Sequence, residues 1–234
     1  MREILLNYGY LVLWVVCVLE LLLTMLLFSD YSKKKDPIIL CMALIGVGMC
    51  FDAVILAAGR FMMLPILRVL SQGRFILHGI LIPLNLMICA YSAPFYKRAR
   101  VLMWVLTTLV MIAGAGAGAF RELDVQYIHQ GAFNQIVRYA SVSPKTAWME
   151  RINTVISFGT TIPVILTGIW VTIKQKAPEI LLAGVLMFLF SALGPATGNA
   201  DLIFIISMFG ELLMLFFFML YEKHHVSKMY DYYH

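Results

Sequence analysis

Five ionisable side chains interrupt long apolar stretches of this sequence and are its best candidates for chemistry. They are Glu20, Asp52, Arg74, His78 and Glu211. An ionised side chain at the centre of a membrane-crossing helix costs about 2.5–3.5 kcal/mol on insertion scales, so each such residue points to a function. Acids outnumber bases in this set, which favours a cation, an amine or a coupled proton as the ligand.

Helical spacing places several polar residues on common faces. Arg74, His78 and Asn85 are four and seven residues apart, so they share one face of a helix. Pro83, in the same stretch, frees a backbone carbonyl nearby. Two other stretches repeat the pattern, one with Ser207 and Glu211 and one with Asn153, Ser157, Thr160 and Thr161. These faces, with Glu20 and Asp52, predict a polar pocket that opens to the outside of the membrane.

Three functions are compatible with such a pocket. The leading hypothesis is a transporter or binding protein for a small cationic or proton-coupled solute, whose ligand-binding residues are Glu20, Asp52, Arg74, His78, Asn85 and Glu211. The main alternative is an intramembrane enzyme acting on a lipid or isoprenoid, with His78 as general base and Asp52 as its orienting partner. The third is a membrane sensor or assembly subunit. A purely structural reading pairs Asp52 with His78 or Arg74, and Glu20 with Asn85.

Several cofactor chemistries lack the residues they need. His78 is alone among the five histidines in lying within a long apolar stretch, which argues against a zinc site and against the seven-span zinc hydrolases related to alkaline ceramidases and adiponectin receptors. The last apolar stretch contains no lysine for a retinal Schiff base. The four cysteines form no C-x-x-C pair and are expected to be buried apolar residues. The sequence therefore predicts neither a metal nor another cofactor.

The composition is that of an integral membrane protein. Of 234 residues, 62% are hydrophobic and 13% are charged, and the mean hydropathy is +0.87. A soluble domain of this size has too little interior to bury so much apolar surface. The net charge of +5 indicates contact with anionic lipid headgroups rather than with nucleic acid. The expected partners are membrane lipids and a small-molecule or lipid ligand, and the oligomeric state is left open.

Seven apolar stretches are long enough to cross a bilayer, which requires about 20 residues. They are residues 8–28, 37–59, 73–94, 101–120, 153–173, 179–197 and 202–221. The predicted fold is a single all-α domain, residues 1–234, that forms a seven-helix transmembrane bundle. The polar pocket is expected between the first, second, third, fifth and seventh spans.

The basic residues predict the orientation of this bundle. Segments 29–36, 95–100, 174–178 and 222–234 contain ten Lys or Arg in 32 residues, whereas the opposite side contains seven in 56. The positive-inside rule therefore places the N-terminus outside and the C-terminus in the cytoplasm. The short loops favour a bacterial inner (plasma) membrane.

Three connecting or packing segments carry their own expectations. Residues 121–152 form an outer loop in which apolar residues are spaced as in an interfacial helix, and such a segment can cap the pocket. The link 60–72 is apolar enough to dip into the membrane interface. The alternating Ala and Gly residues of 113–119 favour close approach of another helix rather than phosphate binding.

Overall fold

The protein is described from a computed structural model that covers residues 2–128, 135–142, 147–196 and 200–226. Helices dominate it, and a two-stranded antiparallel hairpin accompanies them. The helices are α1 (Arg2–Lys34), α2 (Pro37–Ala58), α3 (Leu64–Leu81), α4 (Asn85–Ser92), α5 (Lys97–Ala119), α6 (Ala147–Gln175), α7 (Glu179–Ala196) and α8 (Ala200–Tyr221). The strands are β1 (Leu123–Ile128) and β2 (Ile136–Ser141).

The predicted all-α membrane bundle is confirmed. Helices α3 and α4 form one continuous apolar segment, Leu64–Ser92, so the described residues contain seven long helical segments. Six of them are long and apolar enough to cross a membrane, and the apolar part of α7, Glu179–Leu193, is shorter. The protein is therefore a helical, polytopic membrane protein. Which terminus lies outside stays a prediction.

Helix α2 is the centre of the bundle. In its most apolar stretch 72% of the residues are buried, against 22% in α5 and in α6. The helix starts sharply because the Asp36 carboxylate accepts a hydrogen bond from the Ile38 amide and Pro37 occupies the first turn. Packing against α1, α3, α4 and α8 makes α2 the natural position for a polar residue shielded from lipid.

The third predicted span bends at its proline. Between α3 and α4 a single 3-10 turn, Ile82–Leu84, replaces regular α-helix. Pro83 has no amide hydrogen to donate to the carbonyl of Gly79, one turn earlier, so the helix cannot continue unchanged through this point. The turn separates His78, before it, from Asn85, after it.

The expectation of an interfacial helix within 121–152 is wrong for residues 123–128 and 136–141, which form strands. Residues 123–128 pair with residues 136–141, from Leu123 opposite Ser141 to Ile128 opposite Ile136. In the first strand, apolar or aromatic residues alternate with polar ones at Leu123, Val125 and Tyr127. This period of two is typical of a strand, whereas the spacing of apolar residues over the whole segment also fits a helix. Backbone pairing with β2 favours the strand over the helix.

The hairpin closes one end of the bundle, called the hairpin end from here on. Ile128 and Ile136 are buried in a cluster with residues of α1, α2 and α8. The carbonyl of Val137 lies against Gly59, where an added Cβ would come within 2.2 Å of it, so only a glycine fits. The link 60–72 is helical from Leu64, where α3 begins with Pro65 in its first turn, and its position at the membrane interface stays a prediction.

Candidate functional site

An ion pair joins the two central helices of the site. Arg74 Nε on α3 lies 2.8 Å from Asp52 Oδ1 on α2, and both side chains are about nine-tenths buried. The Arg74 guanidinium also lies 4.6 Å from the centre of the Phe75 ring. The contact is an ion pair without well-directed hydrogen-bond geometry, because Asp52 Oδ1 has no aligned donor. The predicted proximity of Asp52 and Arg74 is confirmed.

Three side chains that can bind a metal ion or a proton lie close together at this ion pair. One donor atom each of Asp52, His78 and Glu211 lies within 4.8 Å of the other two. They come from α2, α3 and α8, so residues far apart in sequence meet in one place. Asp52 and Glu211 are buried, and His78 is partly exposed. No hydrogen bond joins His78 to either carboxylate among the described contacts.

Glu20 adds a third buried carboxylate from α1. Its side chain is fully buried, and neither of its oxygens has a hydrogen-bond partner among the described residues. Its charge interacts with those of Asp52 and Glu211. Asn85 is also buried, and its side-chain oxygen has no partner in the described part of the chain. The structural pairing of Glu20 with Asn85 is therefore not formed.

A cavity of about 250 Å³ opens next to these residues, toward the hairpin end. Asp52 and His78 border it, whereas Glu20 and Glu211 lie outside its lining. The other lining residues come from α3, α5 and α6 and from the segment after α5, namely Arg74, Phe75, Gly79, Gly114, Gly118, Arg121, Asn153, Ile156 and Ser157. The predicted participation of the first and seventh spans in the lining is wrong, because the lining residues come from α2, α3, α5, α6 and the segment after α5. The hairpin strands do not line this cavity.

Arg121 is a site residue that the sequence interpretation used only for counting charges. It donates a hydrogen bond from its guanidinium to Asn153 Oδ1 and lies 4.5 Å from the centre of the Phe75 ring. Burial and the nearby positive charge of Arg74 lower its pKa. Its position was the signal available in the sequence. Arg121 follows the end of α5, which is rich in small residues, so it borders a cavity that opens at that end.

Glycines allow the wall of the cavity to form. A Cβ on Gly79 of α3 would lie 2.3 Å from the backbone of Gly114 on α5, and one on Gly118 would lie 2.7 Å from the Phe75 carbonyl. Main chain therefore touches main chain along α3 and α5, as the alternating Ala and Gly residues predict. The packing role of this segment is confirmed, and two of its glycines also line the cavity.

A second, apolar cavity of about 440 Å³ adjoins the first. His78, Ile156 and Ser157 line both cavities. The second one also includes Ile82, Phe158, Thr161, Met187, Phe188, Ser191 and Ala192. Thr160 and Thr161, from the predicted polar stripe, donate their hydroxyl hydrogens to backbone carbonyls one turn earlier. His78 thus lies between a polar and an apolar space.

The opposite end of the bundle holds a second cluster that the sequence interpretation did not detect. Glu179 Oε1, at the start of α7, lies 2.9 Å from His224 Nδ1, and Glu179 Oε2 lies 3.3 Å from His225 Nε2. Lys34 and the buried Glu222, two residues before His224, form an ion pair near this cluster. The expected cytoplasmic tail from residue 222 begins instead as one turn of π-helix, Glu222–Val226, which extends α8.

Comparison with known proteins does not assign this chain to a family, so its class is inferred from the fold and the site. No family model matches the chain, and no curated protein resembles it significantly. The fold and the polar cluster define a polytopic helical membrane protein with ionisable residues enclosed in its bundle. Any finer function is inferred from the geometry of that cluster.

Proposed function

We propose that this protein binds and transports a small cation, or exchanges protons with one, through the cavity at the hairpin end. The observation that carries the proposal is the meeting of Asp52, His78 and Glu211, whose donor atoms lie within 4.8 Å of one another beside an open cavity. Two of the three side chains line that cavity, so a solute that enters it reaches them directly.

The charges around the cluster support a cationic ligand. Glu20, Asp52 and Glu211 bring three carboxylates together, and the Arg74 guanidinium contacts one of them, that of Asp52. A buried charge without a partner is costly, because removal from water is not repaid by a counter-ion. Bound protons or a bound cation compensate the excess negative charge. The exchange of one for the other is the physical basis of coupling in this proposal.

The orientation belongs to the same proposal. The excess of Lys and Arg in segments 29–36, 95–100, 174–178 and 222–234 supports a cytoplasmic location for the end opposite the hairpin. The cavity then opens to the outside. A bacterial inner membrane with an outward-facing binding state is the setting we propose.

Purified full-length protein in detergent provides the test. Methylammonium, guanidinium and choline are added separately while thermal unfolding is followed, and proteoliposomes loaded with a pH-sensitive dye report proton movement. A ligand present at about 100 times its Kd stabilises a protein by about 2.7 kcal/mol, which is readily measured as a rise in Tm. We expect at least one of these probes to raise Tm or to move protons in the parent protein.

Two variants make the result specific. Glu211→Gln keeps the size of the side chain but removes its charge, and the response should disappear. Asp124→Asn removes an exposed carboxylate on the hairpin, outside the cavity lining, and the response should persist. A Glu211→Gln protein as responsive as the parent would show that the acidic cluster is structural.

The apolar cavity supports a second candidate function. Because His78 borders both a polar and an apolar space, a lipid or isoprenoid tail in the 440 Å³ cavity would place its headgroup near His78 and Asp52. An enzyme with His78 as general base uses this arrangement. Incubation with lipid extracts followed by mass spectrometry distinguishes the two functions, since only an enzyme produces a His78-dependent product.

A further inference from the structure

We infer that the cation bound at this cluster is a divalent first-row transition-metal ion, held by Asp52, His78 and Glu211. The inference rests on the proposed function and names its ligand. It also differs from the sequence-based expectation of no metal. That expectation examined local spacing and the number of histidines, whereas these three ligands come from α2, α3 and α8.

The distances are close to those that a metal ion requires. Zinc lies about 2.0–2.2 Å from His nitrogen and carboxylate oxygen, so two ligand atoms of its tetrahedral shell are about 3.4 Å apart. The donor atoms of Asp52, His78 and Glu211 all lie within 4.8 Å of one another. Small rotations of the three side chains therefore bring them to coordinating distance without moving the helices.

The charge balance favours a cation. The site has three carboxylates, those of Glu20, Asp52 and Glu211, and two guanidiniums: Arg74 contacts Asp52, and Arg121 lines the same cavity. The ionised groups therefore carry a net negative charge, which a bound cation compensates. Both Glu20 oxygens and Glu211 Oε2 are buried without hydrogen-bond partners in the described part of the chain, so these oxygens are free to accept a ligand.

The ligand types select the class of metal. One imidazole with carboxylates suits zinc, manganese, iron or cobalt, whereas magnesium and calcium prefer oxygen ligands alone. Arg74 holds one Asp52 oxygen, as partners of ligating carboxylates commonly do. Because Asp52 and His78 line the polar cavity, the remaining coordination positions of the ion face an open space. An ion there is accessible from the hairpin end.

The test uses Co²⁺ as a spectroscopic probe and Zn²⁺ as its competitor. The second cluster, Glu179 with His224 and His225, also has three potential ligands and must be silenced. The reference protein is therefore the full-length His224→Gln/His225→Gln variant. Visible absorption of bound Co²⁺ gives the stoichiometry and affinity, and size-exclusion chromatography shows that each variant is folded.

We expect one Co²⁺ ion per chain, displaced by Zn²⁺. His78→Gln and Glu211→Gln should each weaken its affinity at least tenfold and change the absorption spectrum. Glu222→Gln, which alters a buried carboxylate at the opposite end of the bundle, should leave both unchanged. Glu20→Gln, which leaves the three ligands intact, should weaken binding less than Glu211→Gln.

Two results would overturn the inference. One is loss of all Co²⁺ binding in the reference variant, which would assign the metal to His224 and His225. The other is Co²⁺ binding that His78→Gln and Glu211→Gln leave unchanged. If metals fail to bind while methylammonium, guanidinium or choline still produce a Glu211-dependent response, the metal inference falls and the proposed function stands. If neither kind of cation acts, both fall.

Discussion

Asp52 is the residue on which the polar cluster depends, because it contacts Arg74 and also lies within reach of His78 and Glu211. Glu211 differs from it in having no cationic partner in direct contact among the described residues. Two buried carboxylates therefore share one site with different roles. Asp52 compensates a neighbouring charge, and Glu211 is available for a ligand.

The first prediction follows from this difference at the residue scale. Asp52→Asn leaves the Arg74 charge buried and unpaired, and breaking a buried ion pair in this way typically costs about 3–5 kcal/mol. Glu211→Gln removes an unpaired charge, so it should leave stability unchanged or improve it. Chemical unfolding of both variants in detergent measures the contrast. Equal stability of the two would contradict the distinct roles.

A double substitution that removes both partners gives a second test of the ion pair. Arg74→Met together with Asp52→Leu removes both charges and replaces them with apolar groups of similar size. Replacing a buried pair by apolar residues is often neutral or stabilising, whereas removing one partner is not. The double variant should therefore be more stable than Asp52→Asn alone, as measured by Tm in the same detergent. Cation binding should be lost in both.

At the scale of elements, the contact between α3 and α5 shapes the cavity. Gly79 and Gly114 let the two backbones touch, and Gly118 does the same beside Phe75. The Phe75 ring in turn carries both guanidiniums, those of Arg74 and Arg121, within 4.6 Å of its centre. A change in the helix spacing therefore moves both cations of the site together.

The third prediction uses two glycines of the same helix. A Cβ at Gly114 would lie 2.4 Å from the Gly79 carbonyl, whereas a Cβ at Gly116 meets nothing within 4 Å. Gly114→Ala should destabilise the protein by about 1–3 kcal/mol, because backbone must move to relieve the overlap. Gly116→Ala should be neutral or stabilising by up to about 1 kcal/mol, since alanine favours helix. Unfolding curves of the two variants provide the comparison.

The sequence predicts the helices better than it predicts their contacts. Hydropathy locates each membrane segment because an uninterrupted apolar run of that length has few other uses. The pairing of Asp52 with His78, on which the enzyme hypothesis rests, agrees with the proximity of the two side chains in the structure. The strands at 123–128 and 136–141 were missed because their stability comes from mutual pairing. Arg121 and Glu179 were missed because their partners lie on other helices.

At the scale of the whole molecule, the two ends of the bundle carry different polar groups. The hairpin end has the cavity with Asp52, Arg74 and Arg121, and the opposite end has Glu179 with His224 and His225. The two cavities that His78 borders share no lining residue with the cluster of Glu179, His224 and His225. If the protein transports its ligand as proposed, we expect helix packing to change, and α5 and α6, whose most apolar stretches are only 22% buried, are the helices we expect to move.

The last prediction concerns the orientation of these ends in the membrane. All four native cysteines, Cys17, Cys41, Cys50 and Cys89, are buried, so they give little background for thiol labelling. Arg98 at the start of α5 and Asp124 on the hairpin are both exposed, and they lie at opposite ends of the bundle. Each is replaced singly by cysteine. A membrane-impermeant maleimide should label Asp124→Cys in intact cells and Arg98→Cys only after permeabilisation, because the positive-inside rule places the basic turn around Arg98 in the cytoplasm. Labelling of Arg98→Cys from outside would reverse the orientation and make the cavity face the cytoplasm.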